Sequence, residues 1–375
     1  MSTTLPKYDI IIVGGGLAGL SHAILSAKSG RKVLVIEKDI YPRMKVCGEY
    51  ISNESRNFLK ELGLPIEELQ LPEINQFVLT TQLGDQSNCT LQTGGIGISR
   101  YFLDEFLAKQ AQDLGVNILL NTKVNEFTFL SASSLFSVTT NDGINFKSPL
   151  AILAAGRNVG FLKPTIKSKQ KFVGVKYHIS EGPPDDTIEI HHFEGGYCGV
   201  SKVEDNKYCL CYLVKAHALK PYNGDFKAFE EQVLSKNPFL KVRLQAPKLT
   251  SVVTTSNIQF GIQEQTQNSI IDIGDSAGFI PPITGNGMSL AFRSAKKLHQ
   301  QTELYLDGKI NLTEMLANAH HYKSHYLKYR INKGIFLQKL LFLNNRVLKY
   351  FVLKSIVNIP GFIQILSKQA VGKEI

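Results

Sequence analysis

The strongest constraint on the fold lies in the first forty residues. An apolar run at residues 8–13 leads directly into G-G-G-L-A-G, which fits G-x-G-x-x-G at Gly14, Gly16 and Gly19. A helix-compatible stretch follows at residues 20–29, and a second apolar run at residues 32–36 ends at Glu37. Strand, glycine turn, helix, strand and acid in this order predict a dinucleotide-binding βαβ unit.

Each part of this motif has a physical role. Gly14 permits the tight turn, Gly16 lets the backbone approach a pyrophosphate, and Gly19 lets the helix pack close to the strand. The helix N-terminus offers unpaired N–H groups to the phosphates. Glu37 can accept hydrogen bonds from ribose hydroxyls, and its charge disfavours a 2′-phosphate, which favours FAD or NAD. The alternative, a purely structural glycine turn, does not require all five parts together.

Length and composition limit the classes of protein to which this chain can belong. A chain of 375 residues with 43% hydrophobic and 20% charged residues suits a soluble enzyme of one large or two joined domains. The first apolar stretch is the dinucleotide strand itself, and no run of 18 uncharged apolar residues occurs, which argues against a signal peptide and a spanning helix. Five cysteines without zinc-ligand spacing predict reduced thiols, no metal and a cytoplasmic location.

The rest of the chain alternates helix and strand patterns before becoming strand-rich. Residues 38–50 predict a loop, 52–62 a helix capped by Ser52, 71–93 strands that end at the glycines of 94–97, and 101–114 an amphipathic helix. Further strands are predicted at 116–120, 123–129, 135–140, 144–147 and 150–157. Residues 173–179, 187–193, 196–203 and 207–214 predict a meandering sheet, with one inserted helix at 225–235.

A second polar feature follows the buried strand predicted at residues 269–273. The chain continues as G-D-S-A-G and, after two prolines, T-G-N-G before a helix at 288–299. Asp275 at the strand end and the glycine-rich helix entrance predict an anion-friendly site. The alternative is an ordinary capped helix start.

Three segments together resemble a known superfamily: G-G-G-L-A-G with Glu37, I-S-R-Y-F-L-D-E-F-L around Arg100, and I-D-I-G-D-S-A-G-F-I-P-P-I-T-G-N-G-M. They are similar to the FAD-dependent enzymes that include geranylgeranyl reductases and aromatic-ring hydroxylases of the para-hydroxybenzoate hydroxylase type. The resemblance covers roughly residues 8–300 and is specific for FAD rather than for the reaction. P-R-M-K-V-C-G at residues 42–48 looks like the geranylgeranyl reductase side.

The resemblance implies which residues hold FAD. Arg100 would contact the cofactor, Asp275 its ribityl or phosphate part, and the turn at Gly285 would present N–H groups to the flavin. The full expected set is Gly14, Gly16, Leu17, Ala18, Gly19, Glu37, Lys38, Arg43, Cys47, Gly48, Arg100, Val124, Ala155, Gly156, Asp275, Pro282, Gly285, Asn286, Gly287 and Met288.

Three residues are candidates for catalysis. Cys47 could relay a proton or shield the flavin, or be a small buried residue. Glu49 could be a general acid or an exposed loop carboxylate. Tyr197, in the glycine-lined segment at residues 194–200, could floor a substrate tunnel or simply pack at a strand bend.

The resemblance leaves the reaction open. It favours a reductase moving hydride between flavin N5 and a carbon–carbon bond of an isoprenoid or lipid-like substrate, with NAD(P)H or an electron-transfer protein as donor. The alternatives are the reverse dehydrogenase direction, an FAD monooxygenase hydroxylating or epoxidising a hydrophobic or aromatic substrate, and a binding module without turnover. The Ala-Asp-Gly usual in the hydroxylases is absent, because the chain reads G-R-N-V-G from residue 156.

These inferences predict an α/β fold. A three-layer, discontinuous Rossmann-type FAD-binding domain would comprise residues 1–70, 98–166 and 256–305. A mostly antiparallel substrate-binding sheet domain would comprise 71–97 and 167–255, and a C-terminal helical segment 306–375.

The C-terminal segment is rich in both apolar and basic residues from residue 320 to 373. Lys333, Lys339, Arg346, Lys349 and Lys354 recur among apolar residues, which suits a helix at an anionic membrane surface, peripheral at the inner face. The alternative is a helix packed on the body with a solvated basic face. No nucleic-acid-binding motif accompanies the charge, so we expect no nucleic-acid partner.

Overall fold

The computed structural model describes residues 7–157, 166, 170–264, 269–342, 372, 374 and 375. The strands are β1 (Ile10–Val13), β2 (Val33–Ile36), β3 (Tyr50–Ser52), β4 (Glu73–Thr80), β5 (Gln86–Gly97), β6 (Asn117–Leu119), β7 (Val124–Leu130), β8 (Leu135–Thr140), β9 (Asn145–Ser148), β10 (Leu150–Leu153), β11 (Phe172–Ile179), β12 (Thr187–Phe193), β13 (Gly196–Lys202), β14 (Tyr208–Lys215), β15 (Val253–Ile258), β16 (Gly261–Ile262), β17 (Ile271–Asp272) and β18 (Gly278–Phe279). The α-helices are α1 (Leu17–Lys28), α2 (Arg56–Glu61), α3 (Arg100–Asp113), α4 (Phe226–Gln232), α5 (Pro238–Gln245), α6 (Gly287–Leu306), α7 (Leu312–Tyr322) and α8 (Lys328–Leu341).

A five-stranded parallel sheet forms the centre of the nucleotide-binding half, in the order β17-β10-β1-β2-β6. The residues of β1, β2 and β10 are apolar and buried, as expected for parallel strands covered on both faces. Helices α1, α3 and α6 pack together on one side, and the three-stranded antiparallel sheet β7-β8-β9 covers the other. This gives the three layers and mixed α/β class that the sequence predicts.

The second large sheet has eight strands in the order β15-β11-β14-β13-β12-β4-β5-β3. It is antiparallel except where β4 pairs in parallel with β12, with Gln76 opposite Thr187. The short strand β3, which directly follows the loop at residues 38–49, pairs with the glycine-rich end of β5. That pairing brings the loop against this sheet and so sets one wall of the site.

The local predictions are largely confirmed. Ser99 caps α3 by accepting a hydrogen bond from the Phe102 N–H at 3.1 Å. Two expectations need correction. The glycines of 94–97 do not break the strand after residue 93, because β5 continues through Gly94 and ends only at Gly97. The helix expected at 225–235 is present as α4, and a second helix that was not expected, α5, follows it.

The described C-terminal region is helical, with α7 and α8 joined through a π-helical turn at Lys323–Leu327. None of the helices within the described residues is long and apolar enough to cross a membrane. Arg346, Lys349 and Lys354 lie outside the described residues, and the boundaries of the proposed domains remain a prediction.

Candidate active site

One continuous cavity of about 640 Å³ runs between the parallel sheet and the eight-stranded sheet. At one end its walls are the glycine motif and Glu37, and in the middle they are the loop at residues 44–50 and the segments around residues 154–157 and 273–288. At the other end the walls are side chains of the large sheet and of α8. The cavity therefore joins a polar compartment suited to a dinucleotide with an apolar compartment.

The glycine motif has the geometry that its sequence predicts. Gly14 has φ +108°, and a Cβ there would lie 2.4 Å from the Ala154 carbonyl oxygen. A Cβ on Gly19 would lie 2.0 Å from the Gly14 carbonyl oxygen, so this glycine is needed for close helix–strand packing. A Cβ on Gly16 would meet no atom within 4 Å, and Gly16 lines the cavity. The space beside Gly16 is thus open for a ligand at the N-terminus of α1.

Glu37 is held in place at the end of β2. Its carboxylate accepts hydrogen bonds from the Gly15 N–H at 2.6 Å and the Asp39 N–H at 3.0 Å, and pairs with the Arg43 guanidinium at 2.5 Å. Burial alone would raise the pKa of Glu37, but the hydrogen bond and charge of Arg43 outweigh it and hold the pKa below its usual value. Arg43, an expected cofactor contact, does not line the cavity and instead orients Glu37 and the Gly15 carbonyl.

In the middle of the cavity, cationic side chains lie near the carboxyl group of Asp275. Burial raises the pKa of Asp275, and Arg157, Arg100 and Lys45 oppose that rise. The Arg100 guanidinium is bound bidentately by Asp104 at 2.6 and 2.8 Å. Arg157 donates to the Thr255 hydroxyl at 2.8 Å and lies 4.8 Å from the centre of the Phe279 ring.

Lys45 is the cation that sequence reasoning missed in this group. It lines the cavity, and burial together with the charges of Arg100 and Arg43 lowers its pKa to about 8. Within the described ranges its ammonium group has no ion pair with an acidic side chain. An anionic ligand in the cavity would supply that missing partner.

The turn before α6 presents unpaired polar groups. Gly285 has φ +65°, and Asn286 precedes the first residue of the twenty-residue helix α6. The Asn286 side chain is 1% exposed, and neither its amide nitrogen nor its oxygen has a hydrogen-bond partner among the described residues. Because buried amides are nearly always paired, Asn286 fits a site completed by a polar ligand such as a flavin ring.

All three residues expected to act in catalysis line the same cavity, and two of them, Cys47 and Tyr197, hold their protons. Burial raises the pKa of the Cys47 thiol above its usual value, and burial raises that of Tyr197 further. The Tyr197 hydroxyl is buried and has no side-chain hydrogen-bond partner within the described part of the chain. Its ring also packs 6.0 Å from that of Phe342, so the packing interpretation and the cavity-wall interpretation both hold.

The interpretation of Glu49 as an exposed loop carboxylate is wrong, because Glu49 is fully buried. Its carboxylate accepts hydrogen bonds from the Lys176 ammonium and the Arg100 N–H at 2.7 Å, and lies 2.6 Å from His178 Nε2. Burial alone would raise the pKa of Glu49, but the hydrogen bond from His178 and the charge of Lys176 hold it below its usual value. An ionised, fully engaged carboxylate has no proton to donate, which argues against the general-acid role.

Glu49 instead fixes the loop that carries Cys47. The Glu49 N–H donates to Cys47 Sγ at 3.4 Å, and the Cys209 thiol on β14 donates to the Cys47 carbonyl at 3.3 Å. Glu49, His178 and Cys209 present ligand atoms within 4.8 Å of one another, but Lys176 already occupies the carboxylate as its cation, so we propose no metal there.

The apolar compartment is formed by strands of the large sheet together with the segment before α6. Its walls include Phe77, Leu79, Leu91, Ile188, Ile190, Leu213, Ile258, Phe279, Ile283 and Leu337. Tyr197 is part of this wall. Gly174 and Gly199 also line the compartment and, because they have no side chains, leave space inside it. The compartment suits an extended apolar ligand.

Most of the residues expected to contact the cofactor lie in the walls of this one cavity. Apart from Arg43 and Gly19, whose roles are structural, each expected contact lines the cavity. The open space at Gly16, the unpaired amide of Asn286 and the excess of cations fit the pyrophosphate and flavin of FAD. Sequence reasoning missed Lys45, Arg157, Lys176 and His178, which carry no motif of their own.

Comparisons with known proteins agree with this site. A model described as the FAD binding domain matches residues 9–44. The chain is 24% identical over 317 residues to the conditioned medium factor receptor 1 of Dictyostelium discoideum, covering 77% of this chain but only 62% of that protein, less than two thirds of its length. It is also 24% identical over 319 residues to the digeranylgeranylglycerophospholipid reductase of Methanococcus vannielii, covering 76% and 74%.

Solved structures show the same fold. A flavin-dependent brominase superposes with a TM-score of 0.78 at 16% identity, covering 97% of this chain and 93% of its own. A geranylgeranyl bacteriochlorophyll reductase-like protein of Thermoplasma acidophilum superposes with a TM-score of 0.77 at 17% identity, covering 98% and 100%. Residues 9–44 therefore match an FAD-binding domain, and the chain as a whole shares its fold with flavin-dependent proteins of low sequence identity.

Proposed function

We propose that the chain is an FAD-dependent reductase that saturates a carbon–carbon double bond of an isoprenoid or similar lipid. The observation that carries the proposal is the continuity of the cavity, which joins the FAD cradle to an apolar compartment past two protonated side chains. The Methanococcus relative, named as a reductase of a digeranylgeranyl lipid, supports the same class of substrate. NAD(P)H or a reduced electron-transfer protein is the proposed electron donor.

FAD, when bound, supplies hydride transfer at N5 of its ring. The chain would supply the rest of the reaction. Adding hydride to one alkene carbon requires a proton at the other, and Cys47 Sγ or the Tyr197 hydroxyl would give it and be reprotonated from solvent. The apolar walls would hold the alkene and exclude water.

The test is an anaerobic reoxidation measured by stopped-flow absorbance. FAD-loaded protein is reduced with dithionite and mixed with a polyprenyl alkene, and the product is analysed by mass spectrometry. We expect the oxidised flavin spectrum to return only with the alkene, and the product to gain two hydrogen atoms. Reoxidation that requires oxygen and yields an oxygenated product would instead favour the monooxygenase alternative.

Substitutions identify the proton donor. Cys47→Ser and Tyr197→Phe are compared, and loss of the true donor should slow the alkene reaction by about 10²-fold with FAD affinity unchanged. Cys89→Ser, on β5 outside the cavity walls, is the matched control and should react at the wild-type rate. Wild-type rates in both site variants would exclude these residues as donors.

A further inference from the structure

The outward face of α8 combines exposed aromatic side chains with lysines. Tyr329 and Phe336 are each 62% exposed and lie seven residues apart, which places them on the same side of the helix. The Lys333 ammonium lies 5.8 Å from the centre of the Tyr329 ring, and Lys328 and Lys339 are exposed on the flank. Such a face exposes apolar surface to water unless something covers it.

The charge of the whole protein is concentrated in this region. Residues 315–373 contain ten lysines and arginines and no aspartate or glutamate. The remaining chain therefore has 42 − 10 = 32 basic residues against 32 acidic ones, and is neutral. The net charge of +10 thus belongs to the C-terminal segment that contains α8.

The opposite face of α8 forms part of the body of the protein. Ile331 is fully buried, and Gly334 packs so closely that a Cβ there would lie 3.0 to 3.1 Å from atoms of Ile280, Pro281 and Thr284. Leu337 lines the apolar compartment. One helix therefore contacts the segment before α6 on one side and presents aromatics and lysines on the other.

We propose that α8 lies on the surface of an anionic phospholipid membrane. Tyr329 and Phe336 enter the interface between headgroups and acyl chains, and Lys328, Lys333 and Lys339 face the lipid phosphates. Charge decides between this partner and a second copy of the chain, because two copies would bring the same cationic face against itself. Given the proposed function, the helix would also place the apolar compartment next to the bilayer that holds the substrate.

The test measures membrane binding alone, so it can be read whether or not the chain reduces alkenes. FAD-loaded full-length protein is co-sedimented with vesicles of phosphatidylglycerol and phosphatidylcholine, or of phosphatidylcholine only. We expect binding to the anionic vesicles that weakens as salt is raised. Tyr329→Ser/Phe336→Ser should bind about tenfold more weakly. Val242→Ser/Leu249→Ser, which removes two residues 58% and 48% exposed on another surface, is the matched control and should bind like the wild type.

Several results would overturn the proposal. The first is wild-type protein that does not bind the anionic vesicles and stays in the supernatant. The second is equal vesicle binding by Tyr329→Ser/Phe336→Ser and by the control. The third is binding to both vesicle types that does not change with salt. A concentration-dependent dimer that Tyr329→Ser/Phe336→Ser dissociates would assign the face to self-association instead. If Tyr329→Ser/Phe336→Ser does not load FAD, Lys328→Glu/Lys339→Glu takes its place in the same comparison with the control, because both lysine side chains are exposed.

Discussion

Two glycines of the same motif have separable roles. Gly16→Ala places a Cβ in open space, so the protein should fold with wild-type stability but bind FAD at least about tenfold more weakly, because the methyl group occupies the position of the pyrophosphate. Gly19→Ala forces a contact of 2.0 Å with the Gly14 carbonyl and should cost about 1–3 kcal/mol of unfolding free energy. FAD titration by fluorescence and urea denaturation measure the two effects. Unchanged FAD affinity in Gly16→Ala would contradict the assignment.

Lys45 should make FAD binding depend on pH. Its pKa is about 8 without an anionic partner, and the protonated form binds a diphosphate better. Lowering the pH below 8 keeps the ammonium charged, whereas raising it through 8 removes the charge, so the dissociation constant of FAD should increase above pH 8. Lys45→Arg should bind tightly without this rise, and Lys45→Met should bind weakly at every pH. An identical pH profile in all three proteins would show that Lys45 does not contact the cofactor.

At the scale of elements, the contact between α1 and α6 contains a histidine buried without charge. His22 Nε2 lies 3.1 Å from the Thr302 hydroxyl, and burial, with a smaller effect of the His299 charge, lowers its pKa from 6.5 to about 3. The unfolded chain therefore takes up a proton as the pH falls below 6.5, while the folded chain does not until about pH 3. The unfolding free energy should decrease over this range, by roughly 2 kcal/mol at pH 5.

The measurement for His22 is urea denaturation between pH 4 and about 7. His22→Gln keeps a hydrogen-bonding group without the titration, so its stability should decline less steeply with acid. His321→Gln, an exposed histidine on α7, is the control and should follow the wild-type slope. Parallel slopes for wild type and His22→Gln would contradict the prediction.

At the scale of the whole molecule, a buried ion pair links β11 of the eight-stranded sheet to the end of the loop at residues 38–49, which also contacts the start of α3. Lys176 on β11 and Glu49 beside α3 are both fully buried, so Lys176→Met leaves a carboxylate without its cation in the interior. We expect a loss of about 3 kcal/mol in unfolding free energy, partly recovered in Glu49→Gln/Lys176→Met. Lys202→Met breaks a pair with the mostly exposed Asp185 and should cost less than about 1 kcal/mol. Equal losses in the two single variants would contradict this assignment.

The sequence predicts what depends on neighbouring residues and misses what depends on distant ones. The glycine motif, Glu37 and the start of helix α3 are local patterns, and they are found where expected. Lys176 and His178 alternate on β11 like an ordinary polar strand face, and only contact with Glu49, more than a hundred residues away, shows that they are buried. Lys45 likewise resembles any loop lysine until the cavity is formed. The burial of Glu49, which argues against a general-acid role, depends on the same distant contacts.

The parallel pairing of β4 with β12 also has a consequence for the growing chain on the ribosome. Gln76 is synthesised early, but the strand that pairs with it begins at Thr187. One edge of β4 therefore stays unpaired until more than a hundred further residues have been translated. An open strand edge of this kind invites pairing with other nascent chains. Translation speed across residues 98–187, and the chaperones present at that stage, should therefore govern how much of the synthesised protein reaches the native state.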